Sequence, residues 1–138
     1  MTTNFKDFMM DSFTEVEIVE KEVMMGRRIK NLKLKPLTAN EADKVRKKCT
    51  TTKSIRGMKE TSLDHDKLNM MMITETIVEP NFKDAEFQKA WGVIGELNLL
   101  AAIKEKMLDS EYTDLVMLIE EVNGYNKSIE ELKDIAKN

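Results

Sequence analysis

The sequence predicts a mainly helical α+β domain, in which an N-terminal antiparallel β-hairpin is followed by a bundle of about five to six helices. Residues 14–36 alternate apolar and charged side chains on both sides of a glycine, as strands of a hairpin do. Several later segments repeat apolar residues every three or four positions, as amphipathic helices do. The chain has 138 residues, 41% apolar and 34% charged, which is typical of a soluble domain with its own core.

We divide the chain into a flexible N-terminal arm, residues 1–13, and one domain, residues 14–138. The domain comprises the hairpin at 14–36 and a helical part at 38–138. The arm, MTTNFKDFMMDSF, has at most one amphipathic turn and lacks the residue order of a signal peptide. No apolar run approaches the ~20 residues of a membrane span, and Cys49 has no second cysteine to pair with. We therefore expect a cytoplasmic protein with no membrane partner.

The hairpin prediction places the turn at Met24-Met25-Gly26, with the glycine in the left-handed conformation. In that register Val16 and Ile18 form an apolar face with two leucines of the second strand. The predicted facing pairs are Val16–Leu34, Ile18–Leu32, Glu15–Lys35, Glu17–Lys33, Glu20–Lys30 and Glu22–Arg28. A shift by one residue would place apolar residues opposite charges.

A helix is predicted to begin near Thr38 to Asn40, because Thr38 and Glu41 have the spacing of a capping box. Its apolar face contains Ala42, Val45 and Cys49. The segment that follows, TTTKSIRGMKETS, is polar and lacks any helical period, and we predict a mobile loop.

The next helix contains three consecutive methionines, in the stretch DKLNMMMITETIVEP. Asp64 is its predicted N-cap, and the helix is expected to end before Pro80. Its broad apolar face comprises Leu63, Met70, Ile73 and Ile77, with Met71 and Val78 at the edge. Leu68 and Met72 are predicted on the opposite side of the helix.

Four further helices are predicted from apolar periodicity and capping residues. Two are NFKDAEFQKAWGVIG, with Phe87, Trp91 and Ile94 on one face, and ELNLLAAIKEKML, with Leu97, Leu100, Ala101 and Met107. The third is DSEYTDLVMLIEEVNG, capped by Asp109 or Ser110 and ended by Gly124, with a stripe of Tyr112, Leu115, Val116, Ile119 and Val122. The last is SIEELKDIAKN, with Ser128 and Glu131 as a capping box.

No combination of residues indicates catalysis, a metal or a cofactor. His65 has no second histidine or cysteine nearby, and consecutive methionines of a helix point about 100° apart, which disfavours a copper site. The phosphate-binding glycine loop and the nucleophile elbow are both missing. We expect that the protein is not an enzyme.

A basic block supports one alternative function, nucleic-acid binding. Twelve Lys and Arg residues lie between Arg27 and Glu60 against three acidic ones, a local charge of +9, which is an electrostatic footprint for nucleic acid. The acidic total of −3 and the acidic partner strand argue against it, and we expect no specific nucleic-acid partner.

Four stretches in order resemble the XkdN-like tail assembly chaperones of phages and prophages of Gram-positive bacteria. They are EVEIV followed by LKLKPLTANEADKVRKKC, then ITETIVEPNFKDAEFQKAWGV, then LLAAIKEKMLDSEYTDLVMLIEEVNGYN, and the final KN. The resemblance covers residues from about Thr14 to Asn138. It implies a non-enzymatic cytoplasmic protein of the bacterial host that binds the tape measure protein, keeps it soluble and helps recruit tail tube protein.

Partner-binding candidates follow from the methionines, which are unbranched and repack against varied partners. Leu68 and Met72 are expected near a second copy of the chain or the client, and Met24 and Met25 at the hairpin tip form a second exposed pair. A structural tail component that stays in the virion is a further alternative.

Overall fold

The computed structural model describes residues 5–125. Within that range the chain has two short 3₁₀ helices, five β-strands and five α-helices. The predicted last helix, with Ser128 and Glu131 as its capping box, lies outside the described residues. The 3₁₀ helices, Phe5–Phe8 and Met10–Ser12, belong to the arm and bury no residue.

The first sheet contains the predicted hairpin and one strand from farther along the chain. Strands β1 (Val19–Met25) and β2 (Arg28–Leu34) are antiparallel, and β5 (Ile77–Glu79) pairs with the other side of β2. The α+β class is therefore confirmed. The expectation that 38–138 is only helical is wrong, because the structure has strands in that range too.

The predicted hairpin register is wrong by three residues. Val19, not Val16, faces Leu34, and the strands join through a two-residue turn at Gly26 and Arg27. Both turn residues have positive φ, +65° and +63°, which matches the type I′ turn preferred by two-residue hairpins. Because the shift is odd, the apolar set facing the core changes from Val16 and Ile18, both exposed, to Val19, Val23 and Met25.

A second hairpin replaces the predicted mobile loop. Strands β3 (Thr50–Ile55) and β4 (Met58–Leu63) pair along their whole length. Their turn, Arg56-Gly57, again has positive φ at both residues, +52° and +77°. This segment has no helical period, but it contains β-branched residues, which favour strands. Almost every side chain of this hairpin is exposed, so it lies outside the core.

The α-helices are α1 (Ala39–Lys48), α2 (His65–Thr76), α3 (Ala85–Ala90), α4 (Glu96–Lys104) and α5 (Asp109–Val122). The capping box of Thr38 with Glu41 is confirmed, and Asp64 caps α2 by accepting from the Lys67 N–H. Helix α5 begins differently from the prediction: its N-cap is Leu108, whose N–H donates to Glu111. Gly124 follows α5 with φ +82°, as expected of a helix stop.

Helix α2 lies at the centre of the molecule and contacts α1, α4, α5 and β5. Its residues Met71, Met72 and Ile73 are all buried, so the prediction that Met72 faces away from the core is wrong. A helix packed on several sides buries more than one stripe. The rest of the buried apolar cluster is Leu32, Leu34, Val45, Cys49, Ile77, Phe82, Leu99, Leu100, Ile103, Leu115 and Ile119.

Two smaller predictions fail around α3 and α4. Helix α3 ends at Ala90, so Ile94 leaves the predicted face and is 88% exposed. In α4 the buried residues are Leu99, Leu100 and Ile103, while Ala101 is exposed. The positive φ of Gly92 and Gly95 breaks the periodicity between the two helices.

Candidate docking groove

An apolar groove of about 450 Å³ lies between the β1–β2 hairpin and helices α3 and α4. Its volume falls in the range of sites that hold a small ligand or a few side chains. Its lining comes from β1–β2, from the segment after β5, and from α3 and the end of α4. The residues are Met25, Gly26, Arg28, Lys30, Asn31, Leu32, Pro80, Phe82, Phe87, Trp91, Ile103, Lys106 and Met107.

One wall of the groove is aromatic. The rings of Phe82 and Phe87 meet edge to face, with centroids 5.5 Å apart and an interplanar angle of 66°, and Trp91 lines the same groove. Phe82 is fully buried, whereas Trp91 is 39% exposed. Trp91 is not one of the buried core residues. The exposed part of this wall can therefore accept further rings in the same edge-to-face geometry.

The buried side chain of Gln88 fixes this wall. Its Nε2 donates to the Phe82 carbonyl at 2.8 Å, and its Oε1 accepts from the Gly95 N–H at 2.8 Å. Asp84 starts α3 by accepting from the Glu86 N–H at 2.8 Å. A buried amide whose donor and acceptor are both used holds the segments it joins in one arrangement.

The rim of the groove is basic. Arg28, Lys30 and Lys106 line it, and among the described lining residues none is acidic. These three cations are exposed beside an apolar floor, so they attract an anionic group most strongly at low ionic strength. The groove therefore favours an apolar segment that has acidic neighbours.

The hairpin tip is held against the helices by Glu111. Its carboxylate accepts from the N–H groups of Gly26 at 3.2 Å, Arg27 at 2.8 Å and Leu108 at 2.8 Å. The Leu108 N–H, and with smaller effect those of Arg27 and Gly26, lower the pKa of Glu111 from its ordinary value of 4.5. This interaction positions Met25 and Arg28 at the edge of the groove.

Comparison with known proteins identifies the family. The family model of the phage XkdN-like tail assembly chaperone protein matches residues 5–137, which is nearly the whole chain. The chain belongs to this family. The resemblance found in the sequence is thereby confirmed.

Two relatives of this XkdN-like chain come from Bacillus subtilis strain 168. The protein YqbN, described as uncharacterized, is 26% identical over 131 residues, covering 89% of this chain and 87% of YqbN. XkdN of the phage-like element PBSX is 24% identical over 131 residues with the same coverage, 89% and 87%. The crystal structure of YqbN superposes with a TM-score of 0.69 at 21% identity, over 91% of this chain and 100% of that one; it shows a shared fold.

The predicted partner-binding residues of this XkdN-like chain are not brought together. Met25 lines the docking groove, while Met24 belongs to the opposite face of β1 and is exposed. Leu68 and Met72 line a separate hollow of about 250 Å³ between α1, α2 and α5. Leu68 is half-buried, and Met72 is only 8% exposed.

Sequence analysis missed the aromatic wall as a surface feature. Phe87 and Trp91 were assigned to a core-facing helix stripe, because their spacing of four residues is typical of one. The signal that was present is the cluster of three of the eight aromatic residues within ten positions, Phe82, Phe87 and Trp91. The prediction missed the early end of α3, which leaves the indole of Trp91 at the surface.

The basic block of the XkdN-like chain is distributed over several elements. Its cations lie on β2, on α1 and on the exposed β3–β4 hairpin. Some have acidic partners: Lys33 contacts Glu20 and Glu79, and Arg46 contacts Asp43. The described cations therefore do not form one continuous, unpaired surface.

The described part of this XkdN-like chain contains neither a cluster of metal-binding side chains nor a membrane-spanning helix. Within residues 5–125, no three His, Cys, Asp or Glu side chains lie close enough together to hold a metal ion. No helix in that range has both the length and the apolar character needed to cross a membrane.

Proposed function

We propose that this XkdN-like chain is a non-enzymatic, cytoplasmic chaperone that binds the tape measure protein of its phage and promotes assembly of the tail tube around it. Membership in the tail assembly chaperone family supports the general role. The docking groove is the observation that supports binding of an apolar client, since it is a preformed, aromatic-walled hollow at the surface.

The client segment that fits the groove best is one amphipathic helix. Helices dock into apolar grooves through side chains spaced three or four residues apart. The aromatic wall would contact the apolar face of such a helix, and Arg28, Lys30 and Lys106 would pair with acidic residues on its flanks. A tape measure protein, long and helical, would offer many such segments.

Met25 and Met107 suit the groove to clients of varied sequence. Both are half-buried and line the groove, and a methionine side chain changes rotamer at little cost. A groove with adaptable side chains binds several related segments with moderate affinity rather than one with high affinity. Met24 and Leu68 remain proposed as further partner contacts, at the hairpin tip and at the smaller hollow.

Co-expression with the tape measure protein of the same phage tests the proposal. We expect the wild-type chain to keep the client in the soluble fraction and to co-purify with it. The Trp91→Ala variant should lose most of this effect, because Trp91 lines the groove and is 39% exposed. Ile94→Ala is the matched control, since Ile94 is nearby, is 88% exposed and does not line the groove.

Equal co-purification by wild type and Trp91→Ala would show that the groove is not the client site. Failure of the wild-type chain to solubilise the client would overturn the proposed function itself. Mass spectrometry of purified virions provides a second test. A chaperone should be absent from them, whereas a structural tail component would be present in stoichiometric amount.

A further inference from the structure

We propose that the N-terminal arm of one copy of this chain docks in the groove of a second copy. The arm and its connection to β1, residues 5–18, expose large apolar side chains, namely Phe5, Phe8, Met9, Met10, Phe13, Val16 and Ile18. Phe5 is 73% exposed and Phe8 65%. So many large apolar side chains in a short segment are typical of an interaction site rather than of a solvated tail.

The conformation of the arm places two of its rings together. Phe5 and Phe8 begin and end a 3₁₀ helix, in which residues three apart lie on the same side. The two rings therefore project as a pair from one edge of the arm. The groove has the complementary wall, made of Phe82, Phe87 and Trp91, and edge-to-face packing of rings is favourable beyond the area that it buries.

Charge also matches the arm to the groove. Residues 5–18, the arm with its connection to β1, have one cation, Lys6, against four acidic residues, Asp7, Asp11, Glu15 and Glu17, a net charge of −3. The groove is rimmed by Arg28, Lys30 and Lys106 and by no acidic residue among those described. Complementary charges of this kind steer a docking segment toward its site.

A second copy is a better source of the arm than the same chain. Within one chain the arm leaves its own groove open, and its phenylalanines are exposed. Residues 14–18 connect the arm to Val19, the end of β1 farthest from the turn at Gly26. Reaching the end of its own groove at Met25 and Gly26 would require this connection to be fully extended, because its six peptide units reach about 20 Å, which is also the length of β1. Exchange between two copies has no such requirement.

Oligomeric state and the fluorescence of Trp91, the only tryptophan, test the proposal on the full-length chain. Light scattering during gel filtration should show a dimer that dissociates on dilution. In the variant Phe5→Ser/Phe8→Ser/Phe13→Ser the dissociation constant should rise by at least about ten-fold. This variant should fold normally, since these residues are exposed, and circular dichroism checks that it does. The matched control is Ile55→Ser/Met58→Ser, which removes two exposed apolar residues from the other hairpin.

A synthetic peptide of residues 5–15 provides the second measurement. Added to the triple-serine variant, this peptide should shift the emission of Trp91 to shorter wavelength, and the shift should saturate with peptide concentration. Binding of the peptide should weaken as the salt concentration is raised. A peptide with serine at positions 5, 8 and 13 should cause no shift. Absence of a shift with the native peptide, or a dimer that survives the triple substitution, would overturn the proposal. The proposal would also be overturned if the wild-type chain were a monomer at all dilutions and its Trp91 emission lay at shorter wavelength than that of the triple-serine variant. The arm would then occupy its own groove.

Competition with a client is the one aspect that rests on the proposed function. If both occupy the groove, the triple-serine variant should bind the tape measure protein at least as tightly as wild type does. The dimer and peptide measurements use no client, so a failure of client binding leaves them interpretable.

Discussion

The carboxylate of Glu111 accepts a hydrogen bond from the backbone N–H of Arg27 at 2.8 Å, across 84 positions of sequence. The same carboxylate accepts the Leu108 N–H at the start of α5. One side chain thus satisfies the donors of a hairpin turn and of a helix N-terminus. This contact holds the hairpin turn against the start of α5, beside the docking groove.

Stability at acid pH tests the role of Glu111. Its pKa is lower in the folded chain than its ordinary value of 4.5, so the unfolded chain binds the proton more tightly. The stabilisation is complete above the unfolded pKa and decreases as pH falls through the folded pKa. We expect Glu111→Gln to lower the melting temperature at pH 7 and to flatten its decrease between about pH 5 and pH 3. If the melting temperatures of wild type and variant decreased in parallel over that pH range, this role of Glu111 would be excluded.

Charge reversal tests the hairpin register. Lys33 contacts Glu20 at 4.0 Å and Glu79 at 3.3 Å, and all three side chains are substantially exposed. Lys33→Glu should therefore lower the free energy of unfolding by less than about 1 kcal/mol. Adding Glu20→Lys should recover part of the loss in chemical denaturation. Recovery by Glu17→Lys instead would support the register predicted from the sequence.

Substitution of Met72 tests its place in the core. Met72→Ala should lower the free energy of unfolding by about 2–5 kcal/mol, as emptying a buried methionine position does. Met117→Ala on α5 is the control, because Met117 is 55% exposed and should change stability by no more than about 0.5 kcal/mol. Met72→Glu should unfold the domain. Equal urea midpoints for Met72→Ala and Met117→Ala would place Met72 outside the core.

Binding to duplex DNA tests the nucleic-acid alternative. The cations of the basic block lie on separate elements, and two of them, Lys33 and Arg46, have acidic partners, so we expect only weak, sequence-independent attraction. Fluorescence anisotropy at low salt should show binding that disappears at physiological ionic strength. Binding that persists there and discriminates between sequences would favour the alternative.

The docking groove was only partly predictable. Met25 was identified as a partner-facing residue from its place at the hairpin tip, and it lines the groove. Trp91 and Phe87 were assigned to a helix stripe, because a spacing of four residues does not reveal where a helix ends. The groove consists of segments about 50 to 80 residues apart, and no local pattern indicates that they meet.

The sequence by itself determined the features that arise between near neighbours in the chain. Helix boundaries are set by hydrogen bonds and dihedral angles within a few residues. Examples are the capping box of Thr38 and Glu41, the N-cap Asp64 and the positive φ of Gly124. Only the tertiary structure decided the rest. Two apolar pairs of this segment alternate well enough to face a core: Val16 with Ile18, and Val19 with Val23. The turn bound by Glu111 favours the second pair. Met72 is buried for a similar reason: its helix is packed on several sides, and periodicity shows where apolar residues lie on a helix but not how many neighbours cover them.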